Sequence, residues 1–208
     1  MRDLQKHPEP QYLTSRKVAL ALAYQTSIAA GTAKSVWSAE PIRSALTSET
    51  EGRCAYCDAE IAHVATAHIE HYRPRETYPN RVVDWNNLTI ACPACNGKKH
   101  AKFDETLPFV NPFHDDPDSH FVYSGDLIFA PSSTRGDHSI REIGLNRDAA
   151  VRARRRRIEY VNAQVTYWAS AATPMKAGIA REIIEDWRTG EYYAAVRGYL
   201  RLISFPGA

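Results

Sequence analysis

The sequence predicts an α+β fold, a mainly helical protein whose helices surround a small cysteine-rich module. Three observations carry this expectation. Apolar residues recur at helical spacing near the N-terminus and again from about Arg147 onward. Between these regions, residues 51–103 are rich in Cys, His, Asn and Pro and hold only short apolar runs, HVATAHIEHY and LTIAC. Two Cys-x-x-Cys pairs fall inside that segment. The expected organisation is a helical segment over 1–50, the module over 51–103, and a hairpin followed by helices over 104–208.

The elements follow in order. Thr14 or Ser15 is the expected cap of a first helix carrying Leu20, Tyr24 and Ile28 on one stripe and ending near Gly31. A second helix runs through SAEPIRSALTSE with Trp37, Ile42 and Leu46 turned inward. The short apolar runs of the module read as small strands. From 104 to 148 the pattern is irregular, with FVNPFHDDPDSHF as a loop and FVYSGDLIFA as a hairpin around Ser124-Gly125. Beyond Arg147, Val151, Ile158, Val161 and Val165 share one helical face. Thr173-Pro174 opens a second C-terminal helix bearing Ile179, Ile183 and Trp187, and Gly190 separates it from a third with Val196, Leu200 and Ile203.

Composition excludes some functions. A chain of 208 residues with 44% hydrophobic and 24% charged content is long enough to bury a core and too apolar to be disordered. A net charge of +2 is too weak to announce a nucleic-acid partner, so that case must rest on local clustering. MRDLQKHPEPQYL has no apolar signal region, and VALALAY is far short of the ~20 residues a membrane span needs. A cytoplasmic protein without a membrane partner is expected. In that reducing setting, cysteines serve metal sites better than disulfides.

Cys54-x-x-Cys57 and Cys92-x-x-Cys95 each let two thiolates converge on one tetrahedral ion, and the two pairs together make a closed four-thiolate zinc site. Residues 58–91 separate them, more than the ~15–20 of a plain zinc ribbon, so something else is folded in between. Neither pair follows a βαβ pattern, which argues against a redox role. A structural zinc with four protein ligands leaves no open position, so a catalytic metal must be a second ion.

The insert and its flank read IEHYRPR and WNNLTIACPACNGKKH. These residues suit phosphodiester hydrolysis. His is the side chain whose ordinary pKa, ~6.5, lets it take a proton from water near neutral pH. A carboxylate and an amide oxygen can hold a cation against the scissile phosphate. Order and spacing resemble the HNH endonuclease family in its zinc-knuckle form. That resemblance implies a ββα-metal motif, a two-stranded hairpin packed on a helix with one catalytic divalent ion. It places Glu70 as an acidic metal ligand, His71 as the general base, Asn87 as the residue that ties the loop between strand and helix, and Asn96 as a second metal ligand. Glu70 stands where Asp is commoner and Asn96 where His is commoner. Both keep an oxygen donor, which favours a hard ion such as Mg²⁺ or Mn²⁺. Adjacent residues of a regular strand face opposite ways, so Glu70 and His71 serve one site only if the strand ends or twists there, as Pro74 permits.

Other residues have weaker claims. Arg73 and Arg75 are candidate nucleic-acid contacts, and Lys98, Lys99 and Lys102 are candidate phosphate contacts or simply a solvated helix face. His63 and His68 are expected on the surface or satisfied in the core. In RARRRR, ~100° per residue spreads the guanidiniums around the helix. Arg154 falls beside the buried face, and Arg152, Arg155 and Arg156 fall opposite it. That second group is either a soluble face with an Arg155–Glu159 pair or a patch for nucleic acid or a protein partner.

A narrower resemblance runs through MRDLQKHPEP, CAYCDAEI, IEHYRPR, WNNLTIACPACNGKK, NPF, IREIGLNRDAAVRARR and YYAAVRGYL. In that order they look like the small bacterial HNH proteins that form the nuclease subunit of Septu-type anti-phage systems, including retron-linked ones. The resemblance implies a defence nuclease working with an ABC/SMC-like ATPase subunit. DNA is the first expected substrate. The sequence leaves open a structured RNA such as tRNA, and a non-catalytic zinc module that binds nucleic acid or protein.

Overall fold

A computed structural model of the chain describes residues 1–61 and 66–208. His63 lies outside the described residues. Helix α1 (Gln11–Ala29) starts at Pro10, whose carbonyl accepts from the amides of Leu13 and Thr14, and no side chain caps it. Thr14 and Ser15, expected as caps, sit inside the first turn. Their hydroxyls bond back to the carbonyls of Pro10 and Tyr12. Helix α2 (Glu40–Glu49) has Pro41 in its first turn and buries Ile42 and Leu46. Trp37 is buried as expected but precedes this helix.

The module contributes strands β1 (His68–His71) and β2 (Leu88–Ala91) and helix α3 (Pro93–Lys99). The strands pair antiparallel, with His68 opposite Ala91, Glu70 opposite Thr89 and His71 opposite Leu88. A hairpin of β3 (Val122–Ser124) and β4 (Leu127–Phe129) follows. Next comes α4 (Thr134–Ile143), in a stretch the sequence reads as irregular. It is short but properly bounded. Ser133 caps it by accepting from the Gly136 amide, and Gly144 closes it in the left-handed conformation at φ +68°. Gly136 is required by space, because a Cβ there would sit 2.5 Å from the His120 carbonyl oxygen.

Three helices complete the chain: α5 (Asp148–Ser170), α6 (Thr173–Thr189) and α7 (Tyr193–Leu202). Val161, Ile183, Trp187, Val196, Leu200 and Phe205 form their shared core. Val151 and Ile158 are only half-buried, and Ile203 is exposed beyond the end of α7, so the expected apolar faces are narrower than their spacing implies. The larger core joins Leu13, Ile42, Cys54, Ile90, Phe109 and Ile143. It therefore draws on the N-terminal segment, the module and the start of the third segment together.

Arg154 is fully buried, which its position beside the apolar stripe foreshadows. It donates to the carbonyls of Asp126 and Leu145 and to Asn146 Oδ1, so its charge is spent on polar atoms at the hairpin. Arg155 pairs with Asp126 at 2.6 Å and not with Glu159, because the hairpin brings a carboxylate up beside the helix.

Candidate active site and metal centre

The first knuckle is a tight turn. Cys54 accepts from the Asp58 amide and donates its own amide to the Ala59 carbonyl, and the Ala55 amide docks the turn on Ile90 of β2. The second knuckle is the start of α3, where the Cys92 sulfur accepts from the Cys95 amide. All four Sγ atoms lie within 4.8 Å of one another, with Cys57 and Cys92 at 3.9 Å, and none is in a disulfide. A tetrahedral ion bound at ~2.3 Å sets sulfur separations of roughly 3.8 Å, so this donor set fits zinc. Hydrogen bonds from Cys54, Cys57 and Cys95 hold the Cys92 thiol well below its ordinary pKa, whereas burial pushes Cys54 up and the bonds to its neighbours push Cys95 up. Arg147, the residue before α5, donates to Cys95 at 3.3 Å and to Cys57 and Cys92 at 3.7 Å. One cation thus faces three sulfurs of a set that would carry excess negative charge with zinc bound. Nothing in the sequence distinguishes Arg147 from its basic neighbours.

A cavity of about 150 Å³ is lined by Glu70, His71, Pro74, Arg75, Asn96 and His100. His71 is buried, with its ring edge-on to Trp37 at 4.8 Å between centroids. Its Nε2 lies 2.9 Å from the Val82 carbonyl oxygen. A carbonyl only accepts, so Nε2 carries the proton and the lone pair is left on Nδ1. Burial, reinforced by the nearby Arg75 charge, lowers the His71 pKa to about 4, and the imidazole is neutral at neutral pH.

Glu70 is buried on the opposite face of β1. Its Oε1 is 2.6 Å from the Lys99 ammonium and accepts from the Tyr56 hydroxyl at 3.4 Å. Burial pushes the Glu70 carboxyl up, and Lys99 pulls it back toward the ionised form. Among the described residues Oε2 has no hydrogen-bond partner. Asn96 Nδ2 lies 2.9 Å from His68 Nδ1, and as donor it leaves the amide oxygen free. One carboxylate oxygen and one amide oxygen on the cavity wall, neither taken by protein, fit a hard divalent cation. The two adjacent residues reach one cavity because β1 ends at His71.

Asn87 is not on the cavity wall. It is 2% exposed; its Oδ1 accepts from the Arg73 amide at 2.7 Å, and its Nδ2 donates to the carbonyls of Arg73 and Arg81. It ties the chain leaving β1 to the turn before β2. Asn87→Ala strands a buried amide and two carbonyls, so a loss of ~1–3 kcal/mol is expected in denaturant titration. A midpoint unchanged from the parent would contradict the tether.

The candidate phosphate contacts separate. Lys99 is fully buried in its ion pair, which corrects both readings of it, as a phosphate contact and as a solvated charge. Arg73 is held by Glu105 and stacks on Phe103. Arg75 lies over Trp37, pairs with Glu76 and borders the cavity. Lys98 is exposed. Lys102 pairs with Glu142. Arg152 and Arg156 are exposed and have no ion-pair partner among the described residues. One residue at the cavity escaped sequence reasoning: His100 has no distinguishing spacing. His68 is on the surface, one of the two places expected for it, and its Nδ1 meets the Asn96 amide.

Residues 54–102 match the HNH endonuclease family. The chain is similar to Septu protein PtuB of Bacillus thuringiensis, 38% identical over 87 residues, which are 41% of this chain and 34% of that protein. It is also similar to Septu protein PtuB of Bacillus mycoides (strain KBAB4), 28% identical over 141 residues, covering 52% and 48% respectively. The matched stretches span about a third of the first relative's length and about half of the second's. Among the described residues no helix is long and apolar enough to cross a membrane.

Proposed function

We infer, from a chain whose residues 54–102 belong to the HNH endonuclease family, that this protein hydrolyses phosphodiester bonds in nucleic acid. The observation that carries this is the His71 ring. Its Nε2–H is fixed on the Val82 carbonyl, and its basic Nδ1 is left free at a cavity that also exposes Glu70 and Asn96. In the proposed step Nδ1 takes a proton from water as the water oxygen bonds to phosphorus. The bond from phosphorus to the leaving sugar oxygen breaks. Glu70 and Asn96 would hold Mg²⁺ or Mn²⁺, which supplies positive charge to the phosphate and the leaving oxygen. The cysteines would hold zinc and take no part in the chemistry.

DNA is the proposed substrate, and the biological role proposed is anti-phage defence beside an ABC/SMC-like ATPase. Both rest on the resemblance to the Septu nuclease subunits and on the two PtuB relatives. The direct test is a cleavage panel of plasmid, single-stranded DNA and tRNA with Mg²⁺ or Mn²⁺, with and without a candidate ATPase. Cutting of plasmid is expected. Cutting of tRNA alone would replace DNA by RNA, and no cutting of any substrate in either condition would reject the nuclease.

Arg152 and Arg156 are proposed to contact phosphates, whereas Arg155 is already neutralised by Asp126. Arg152→Glu with Arg156→Glu is expected to weaken DNA binding most at low salt and to flatten its dependence on log salt by about two phosphate contacts. Parent-like binding at every salt concentration would leave these arginines as a soluble face.

A further inference from the structure

We propose that Lys99 is a positioning residue that fixes Glu70 and His71 together. The proposal rests on the nuclease assignment above. Lys99 lies one helical turn after Asn96 on α3, and residues three apart share a helix face. Its ammonium lies 2.6 Å from Glu70 Oε1 and donates to the His71 carbonyl oxygen at 2.9 Å, with the Phe109 ring 5.8 Å away. A single group therefore holds the side chain of one reacting residue and the main chain of the next. It does so at the last two residues of β1, Glu70 opposite Thr89 and His71 opposite Leu88. A fully buried ammonium is costly unless paired, and an apolar residue of similar volume would fill the space without that cost. Its placement makes sense as geometry for Glu70. With Oε1 anchored, the remaining oxygen is the one presented to the cavity.

The consequence is that Lys99 acts through Glu70. In Lys99→Met, Glu70 loses its anchor, and a displacement of ~1 Å at such a site can cost ~10²-fold in rate. Mn²⁺ affinity, read by calorimetric titration of the zinc-loaded protein, should fall with it. In a Glu70→Gln background the same lysine substitution should change neither rate nor affinity further, because there is no carboxylate left to orient. The coupling measured by that cycle is the decisive quantity. Zinc content and the thermal melt check the fold of each variant. If Lys99→Met alone unfolds, the Glu70→Gln/Lys99→Met double variant, which buries no unmatched charge, is compared with Glu70→Gln, whose fold is checked because its Lys99 is left unpaired. A further loss of rate or Mn²⁺ affinity in the double variant would overturn the proposal. Multiplicative effects of the two substitutions, or parent-like rate and Mn²⁺ binding in folded Lys99→Met, would overturn the proposal. A parent protein that neither binds Mn²⁺ nor cleaves would instead overturn the nuclease assignment on which it rests.

Discussion

Cys95→Ala is expected to unfold the central module, not merely to loosen it. The argument is one of magnitude. Structural zinc contributes ~10–16 kcal/mol of apparent folding free energy in small zinc-finger peptides. Whole domains are stable by only ~5–15 kcal/mol. β1 and β2 have four residues each, and a two-stranded sheet of that size is marginal by itself. The four sulfurs tie the Cys54 turn to the start of α3, and Ala55 docks that turn on β2. Removing one ligand also leaves Arg147 half-buried beside fewer acceptors. Native mass spectrometry should find one zinc per chain in the parent and none in Cys95→Ala, with the cooperative melt lost. A Cys95→Ala protein that melts like the parent, or a folded parent without zinc, would contradict a structural zinc.

His71→Ala is expected to separate activity from fold. The ring is fixed by the Val82 carbonyl and by Trp37, and its removal leaves the cysteine cluster and both ladders untouched. General-base catalysis is commonly worth ~10²–10⁴-fold, so cleavage should fall by about that factor while zinc content and far-ultraviolet dichroism stay at parent values. Glu70→Ala and Asn96→Ala should also raise the Mg²⁺ or Mn²⁺ concentration needed for half-maximal rate. Undiminished cleavage by His71→Ala would reject His71 as the base.

Much of this architecture is legible in the sequence because it depends on periodicity and spacing. The stripe from Ile179 through Trp187 identifies α6, and Thr173-Pro174 marks its start. Two Cys-x-x-Cys pairs identify the four-sulfur cluster that could hold a metal, because four sulfurs at those intervals have few other uses. Helix α4 is hidden because its first turn contains a glycine demanded by the His120 carbonyl, a tertiary contact with no local signature. The cavity is legible in its donor types and not in their bonding. The Val82 carbonyl that orients His71 comes from a backbone atom eleven residues away, and the sequence does not name backbone partners. Lys99 reads as one more surface lysine beside Lys98. Only the packing of α3 against β1 turns it inward to Glu70. Arg154 and Arg155 differ for the same reason, since Asp126 of the hairpin gives its carbonyl to one and its carboxylate to the other.

The central claim is that one small module keeps two metal functions apart, a closed cluster of cysteines for folding and an open cavity at His71 for hydrolysis. The most direct measurement is plasmid cleavage by protein dialysed against EDTA, with zinc determined on the same sample. The expected result is one retained zinc per chain, no cleavage without added ion, and cleavage restored by Mg²⁺ or Mn²⁺. Cleavage that persists without added ion, or that returns only with added zinc, would contradict it.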